Sequence, residues 1–304
     1  MRPRIDVSPA AGASITWKMR GRVLVGSLLL CATVSAQEVG PPKGSLVVAG
    51  GGLRDAAIVK RFIELAGGND APIVVIPTAG EGDDYGDYWP GLRQFKEQGA
   101  QRLRVLHTRD RKVADSEAFV APIREARGVF FPGGRQWRLA DSYLNTRTHA
   151  ELRALLARDG VIGGTSAGAT IIGSFLVRGD TKGNETMVGD HLEGLAFLKN
   201  VAIDQHLLRR NRQFDLIPVV EARPELLGIG IDEDTAIVVR GDRFEVIGNG
   251  YVAIYDHGRR LDSGGRFYFL APGDRYNMKT REAERPQTRG APIERVKKEP
   301  WPKG

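Results

Sequence analysis

GVIGGTSAGATIIG, residues 160–173, sets one serine, Ser166, among small residues, with an apolar run on either side. GVIGGTS (160–166) reads as a short buried strand, Gly164-Thr165-Ser166-Ala167-Gly168 as a G-x-S-x-G turn, and Ala169 to Val177 as a possible continuing helix. A strand that runs through a turn into a helix is the repeating unit of a parallel α/β sheet, and it delivers the turn residue to the carboxyl edge where ligands bind. Small neighbours let the backbone take a strained conformation and leave the hydroxyl open, and N–H groups at the helix start can face a developing oxyanion. A glycine-rich turn with a capping serine has the same local spelling. The pentapeptide alone leaves both readings standing.

The flanking chain repeats the unit. SLVVAGG (45–51), PIVVIPTAG (72–80), RLRVLHT (102–108) and GVFFPGG (128–134) are further apolar strands, each separated from the next by enough chain for a helix. After SLVVAGG, Val59, Phe62, Ile63 and Ala66 fall on one helical face. The expected fold class is therefore α/β, a mostly parallel sheet with helices on both faces. Beyond Asp204 the pattern changes: TAIVVRGDRFEVIGNGYVAIYD (235–256) places Gly241-Asp242 and Asn249-Gly250 between strand-like runs, which predicts extra antiparallel hairpin strands toward the C-terminus.

The 304-residue chain is 41% apolar, enough for a full core, and carries a net charge of +7. Residues 1–36 hold five Lys/Arg against one Asp, residues 275–304 nine Lys/Arg against four Glu, and the stretch between is slightly acidic. A basic excess confined to the ends does not indicate a nucleic-acid-binding domain. Lys18, Arg20 and Arg22 precede the uncharged run Val23 to Val34, and Val34-Ser35-Ala36 puts small residues at both signal-peptidase positions. Residues 1–36 thus read as a cleaved export signal, with Met19 a second candidate start, and the protein as periplasmic or extracellular. The apolar run is too short to cross ~30 Å of hydrocarbon as a permanent helix, so no stable membrane insertion is expected. Cys31, the only cysteine, falls in this segment, which leaves the mature chain without thiol chemistry. Pro286, Pro292, Pro300 and Pro302 among charges mark 275–304 as a basic mobile tail, and 37–274, without repeat or linker, as a single catalytic domain.

A serine nucleophile needs a base, and the base an orienting acid. Of five histidines, His206 stands in AIDQHLLRRNR (202–212), at an expected strand-to-helix junction. Downstream, GIGIDEDTA (228–236) places Asp232, Glu233 and Asp234 at the end of an apolar run, where adjacent acids are costly unless something uses them. An α/β-hydrolase esterase order would instead use Ser166, Asp234 and His257, but an HGGG-type loop is missing. A catalytically dead binding protein on the same fold is the non-enzyme alternative. VVAGGGLRD (47–55) has Asp55 where a dinucleotide G-x-G-x-x-G needs its third glycine, and no histidine pair has ligand spacing, so neither cofactor nor metal is expected.

FFPGGRQWRL (130–139), GGTSAGA (163–169), AIDQHLLRRNR and GIGIDEDTA resemble, in order and spacing, the four signature segments of the cyanophycinase branch of the S51 serine peptidases, across about residues 45–260. The resemblance implies a class I glutamine-amidotransferase-like, flavodoxin-like fold, frequent homodimers, and a peptide substrate with a β-linked aspartate, cyanophycin or its fragments among them. By motif position it makes Ser166 the nucleophile, His206 the general base, Glu233 the orienting carboxylate, and the amides of Gly134 and Ala167 the oxyanion hole. Gln136, Asp204, Gln205, Arg210 and Arg212 match the family's substrate-side residues. An arginine fork suits a carboxylate, but Arg210 and Arg212, two apart on the expected helix, cannot both face one ligand. Two departures bear on specificity: Arg135 replaces an acid beside the cleft, and a further arginine expected after Arg212 is missing, with Asp215 nearby.

Overall fold

A computed structural model describes residues 38–86, 88–259 and 265–285. The expected export signal 1–36 and residues 286–304 lie outside the described residues. From β1 (Ser45–Ala49), α1 (Ala56–Ala66) leads to β2 (Pro72–Val75), and α2 (Arg93–Glu97) to β3 (Arg102–Val105). Helices α3 (Arg111–Ala114) and α4 (Glu117–Glu125) lead to β4 (Gly128–Phe131), and α5 (Gln136–Tyr143) and α6 (Arg147–Ala157) to β5 (Val161–Thr165). The five strands are parallel in the order β1-β5-β4-β2-β3. Each sits where the apolar runs predict it.

Both faces of β1, β2, β4 and β5 are buried, which is why they read as continuous apolar runs, whereas β3 at the sheet edge alternates exposed arginines with half-buried Leu103 and Val105. Val47 and Ala49 of β1, Ile73 and Val75 of β2 and Phe130 of β4 pack with Ile58, Phe62 and Ile63 of α1 and Phe95 of α2. Leu46, Val48, Val74, Val129 and Phe131 point the other way, into a core shared with Ile123 of α4, Leu139 of α5 and Leu155 of α6. Asp55 caps α1 by accepting from the Ala57 amide, and Gly67 ends it in the left-handed conformation.

Beyond β5 the structure departs from expectation. The helix expected over 169–177 lasts one turn, α7 (Ala167–Thr170), because Ile171 and Ile172 enter the core and the chain straightens into β6 (Gly173–Phe175). The next strands, β7 (Leu198–Gln205) and β8 (Leu227–Ile231), the latter after α8 (Leu216–Ala222), do not join the main sheet. With β11 (Val252–Asp256) and β12 (Tyr268–Leu270) they form a second sheet, ordered β12-β11-β8-β7-β6. Its inner face, with Val201, Ile203, Ile229 and Ile254, packs into the same core as Leu46 and Val48, while α8 covers its outer face with Leu216 and Val220.

The remaining strands, β9 (Thr235–Arg240), β10 (Arg243–Gly248), β13 (Arg275–Asn277) and β14 (Glu282–Glu284), extend the main sheet antiparallel from β1. Gly241-Asp242 forms the expected β9–β10 hairpin. Asn249-Gly250 does not make one, since there the chain leaves β10 for β11 in the other sheet, where β8 is the partner. The tail boundary expected at 274 is also corrected. Residues 275–284 supply two strands, and Tyr276 and Met278 are buried. No helix of the described residues is long and apolar enough to cross a membrane.

Candidate active site

Five strand ends converge at one edge: β1 runs into Gly50–Gly52, β4 into Gly133-Gly134, β5 into Ser166, β7 into His206 and β8 into Asp232–Asp234. Ser166 has φ 54° and ψ −118°, a conformation costly for a non-glycine residue, and its N–H donates to the Ala49 carbonyl at 3.1 Å. The main chain is held while the hydroxyl projects. Ser166 Oγ lies 2.9 Å from His206 Nε2, and His206 Nδ1 lies 2.8 Å from Glu233 Oε1. With Nδ1–H donated to the carboxylate, Nε2 turns a lone pair toward the serine hydroxyl. Burial holds the His206 imidazole below its ordinary value of 6.5, the Glu233 hydrogen bond opposes it, and the nearby Arg210 and Arg212 charges add to the lowering. The lowering favours the neutral ring, the form in which an imidazole can accept a proton.

Each of the three consecutive acids has its own task. Asp232 Oδ1 accepts from the Leu208 and Arg209 amides, both at 3.0 Å, and fixes the turn after His206. Glu233 receives His206 on one oxygen and Arg54 Nη2, at 3.2 Å, on the other. Asp234 takes Arg54 Nε at 2.9 Å and the Asp55 amide. The glycine-rich loop weighed as a dinucleotide motif lies against this pair: at Gly51, φ +133°, an added methyl would fall 2.3 Å from His206 Cε1. In the facing loop, Gly134 has φ +144° and approaches the Ala79 carbonyl so closely that a methyl would sit 2.1 Å from its oxygen, while its neighbour Gly133 packs on Ser166. Ala167 opens α7 directly after the serine.

The expected substrate-side residues divide. Gln136 is buried, with its amide donating to the Val177 carbonyl at 2.9 Å. Asp204 is wholly buried and receives Arg178 bidentately, at 2.8 and 2.9 Å. Gln205 accepts from Arg212 Nη1 at 3.1 Å. Residues 206–211 form turns rather than the expected helix, with His206 and Asn211 at positive φ. Arg212 is consequently buried while Arg210 faces solvent, so the two arginines do diverge. Arg135 does not point freely to solvent. Its Nη2 donates to the Asp180 carbonyl at 2.6 Å, and its Nε is buried without a partner among the described residues.

The other histidines are elsewhere engaged or distant. His107 bonds Thr78, His149 reaches the Leu195 carbonyl, and His191 lies between Asp141 and Asp190. His257 lies in a groove beside Ile217 and Val220, and Asp234 is held by Arg54, so the esterase order is not assembled. Sequence reasoning missed Arg54 and Arg178. The second had a signal: a charge ending the apolar run GSFLV must be paired if it is buried, and Arg178 is fully buried, meeting Asp215 at 2.6 Å as well as Asp204.

An α/β sandwich that sets a serine, a histidine and a carboxylate in hydrogen-bonded series defines the class of serine hydrolases. Residues 46–247 match peptidase family S51, and the chain belongs to that family, in its cyanophycinase-like branch, as a serine-type peptidase. It is 35% identical over 263 residues to a cyanophycinase of Geminocystis herdmanii, covering 79% of this chain and 96% of the relative. It is 32% identical over 264 residues to a cyanophycinase of Synechococcus elongatus, covering 80% and 81%. The crystal structure of a peptidase from an acI-B1 actinobacterium is similar with a TM-score of 0.59 at 28% identity, over 79% of this chain and 98% of that one.

Proposed function

We propose that the protein is an exported serine exopeptidase that hydrolyses β-aspartyl (isoaspartyl) peptide bonds through an acyl-enzyme. One observation carries the chemistry: the unbroken series Ser166 Oγ, His206 and Glu233, at 2.9 and 2.8 Å. Ser166 Oγ attacks the scissile carbonyl carbon as its proton passes to His206 Nε2, and Glu233 keeps the ring oriented and stabilises the imidazolium. The amides of Gly134 and Ala167 receive the oxyanion. Collapse of the tetrahedral intermediate breaks the C–N bond, the amine leaving with the proton from Nε2. Water then attacks the ester by the same route in reverse and frees Ser166. The substrate class is supported by the relatives named cyanophycinase and by Arg212, a buried guanidinium beside Gln205 and one residue type suited to a carboxylate.

The test is a panel of cyanophycin, β-aspartyl dipeptides and α-linked controls, with products identified by mass. We expect cleavage of isoaspartyl members only. Ser166→Ala should keep the fold, since a small hydroxyl adds little packing, and leave a residual of roughly 10³ to 10⁴ over the uncatalysed rate. Near-full activity in Ser166→Ala removes the nucleophile assignment, and hydrolysis of α-linked controls alone removes the substrate class.

A further inference from the structure

Two arginines are buried beside the His206 strand end, and they differ in how their charge is met. Arg178 is saturated by hydrogen bonds to Asp204 at 2.8 and 2.9 Å, Asp215 at 2.6 Å and the Asn184 carbonyl at 3.0 Å, with Glu185 Oε2 farther off at 3.9 Å. Arg212, only 3% exposed, spends Nη1 on the Gln205 backbone and side-chain oxygens, at 3.3 and 3.1 Å. The carboxylate bonded to it is Glu185 Oε1, 3.3 Å from Nη2, and that side chain is 86% exposed. Burial holds the Arg212 guanidinium below its ordinary value, and Arg178 adds to this. Among the described residues, the one carboxylate in contact with this buried cation is therefore itself almost wholly in water, while Asp204, already bound by Arg178, supports the charge from farther away.

We propose that Glu185 is a specificity-determining placeholder: in the substrate-free enzyme its carboxylate occupies the place on Arg212 that a substrate carboxylate takes, and it swings into solvent on binding. The proposal rests on the functional reading above. Exchange of one carboxylate for another keeps Arg212 paired throughout, whereas a substrate without a carboxylate gains nothing on Arg212 by displacing Glu185 and leaves that pair as it is. Release of Glu185 is inexpensive, because an ion pair with so exposed a partner shifts an equilibrium by about five-fold at most. A bidentate carboxylate bound in a desolvated site gains about ten- to a hundred-fold. The incoming carboxylate wins, and a neutral terminus does not. Glu185 lies in the segment between β6 and β7 that also supplies Arg178 and the Asp180 carbonyl held by Arg135; the Asn184 carbonyl, accepting from Arg178 at 3.0 Å, anchors the backbone beside it, while the Glu185 side chain reaches the arginines from solvent.

The experiment compares wild type, Glu185→Gln and Glu185→Ala on the most rapidly cleaved free-carboxylate peptide of the panel and on its carboxyamide. Removing the competing charge should lower KM for the carboxylate peptide about three- to five-fold, with kcat within about two-fold, and leave KM for the carboxyamide unchanged. A KM that stays the same or rises in both variants overturns the proposal. A purely structural role for the loop would raise KM for both peptides. In parallel, succinate is titrated calorimetrically into Ser166→Ala protein with and without Glu185→Gln. Binding about three-fold tighter in the double variant is expected, and unchanged binding overturns the exchange. If the panel is not hydrolysed at all, the functional reading fails by itself, and the succinate titration still decides whether Glu185 competes for Arg212.

Discussion

His206 is drawn in two directions, and under the proposed mechanism the balance sets the working pH. Burial disfavours the imidazolium, Glu233 favours it, and Arg210 and Arg212 disfavour it again, for a net value below 6.5. A base acts only when neutral, so kcat/KM should rise as pH increases through this value and level off above it, with its acid limb below 6.5. Arg210 faces solvent, so its removal disturbs little packing. Arg210→Met should make protonation of His206 easier and move the acid limb to higher pH. A limb that stays in place or moves down in a pH–rate profile would show that Arg210 does not act on the ring. At this scale the sequence was legible for the three side chains that the fold brings into contact: Ser166 in its turn, His206 in DQH, Glu233 among three acids. Arg178 was not, because its meaning depends on Asp204 and Asp215, 26 and 37 residues away. Asp215 illustrates the point: from sequence it marks a lost arginine, whereas in the fold an arginine arrives from a different segment to meet it.

Elements show the same limit in another form. Four of the five parallel strands were readable as apolar runs buried on both faces, and the edge strand β3 as an alternation of arginines with Leu103 and Val105. Membership in a sheet is not written in a strand's own composition, and β7 and β8 look like more of the same while pairing only within the second sheet. That separate sheet brings His206 and Glu233 across to Ser166 from β7 and β8 while Ser166 itself ends β5. The loop after β1 completes the arrangement from the main sheet: the Gly50 carbonyl accepts the His206 amide at 2.9 Å, and the Gly51 carbonyl accepts the Asp234 amide at 2.9 Å. Gly51→Ala tests this role. Its methyl would require φ +133° and would occupy space 2.3 Å from His206 Cε1, so the ring must move. A displacement on the order of 1 Å can cost about 100-fold, and kcat should fall by at least that while the circular dichroism spectrum is retained. Wild-type kcat in Gly51→Ala would mean that the loop does not position the base.

Over the whole molecule, the two sheets share one core, and the last described strands belong to it rather than trailing from it. Charge and proline content made everything after 274 look solvated, but the pattern that mattered was short: Tyr276 and Met278, two apolar side chains among arginines, lysine and acids. Tyr276 packs on Phe244 of β10 with ring centroids 5.4 Å apart, and the Met278 amide donates to the Asp242 carbonyl at 2.7 Å. Through β13 and β14 these contacts also cover the edge of β10, which would otherwise present unpaired backbone groups. A chain ending at Asp274 loses both side chains. At about 1.5 to 3 kcal/mol for each buried residue, the loss is about 3 to 6 kcal/mol, a large part of the 5 to 15 kcal/mol typical of a domain. That truncation should unfold at much lower denaturant concentration and associate through the bared strand edge. A chain ending at Arg285 keeps every contact named here and should match the full-length midpoint. Equilibrium denaturation with size-exclusion chromatography reads both outcomes. Equal midpoints for the two truncations would return residues 275–285 to the role of a dispensable tail, and with it the boundary at 274.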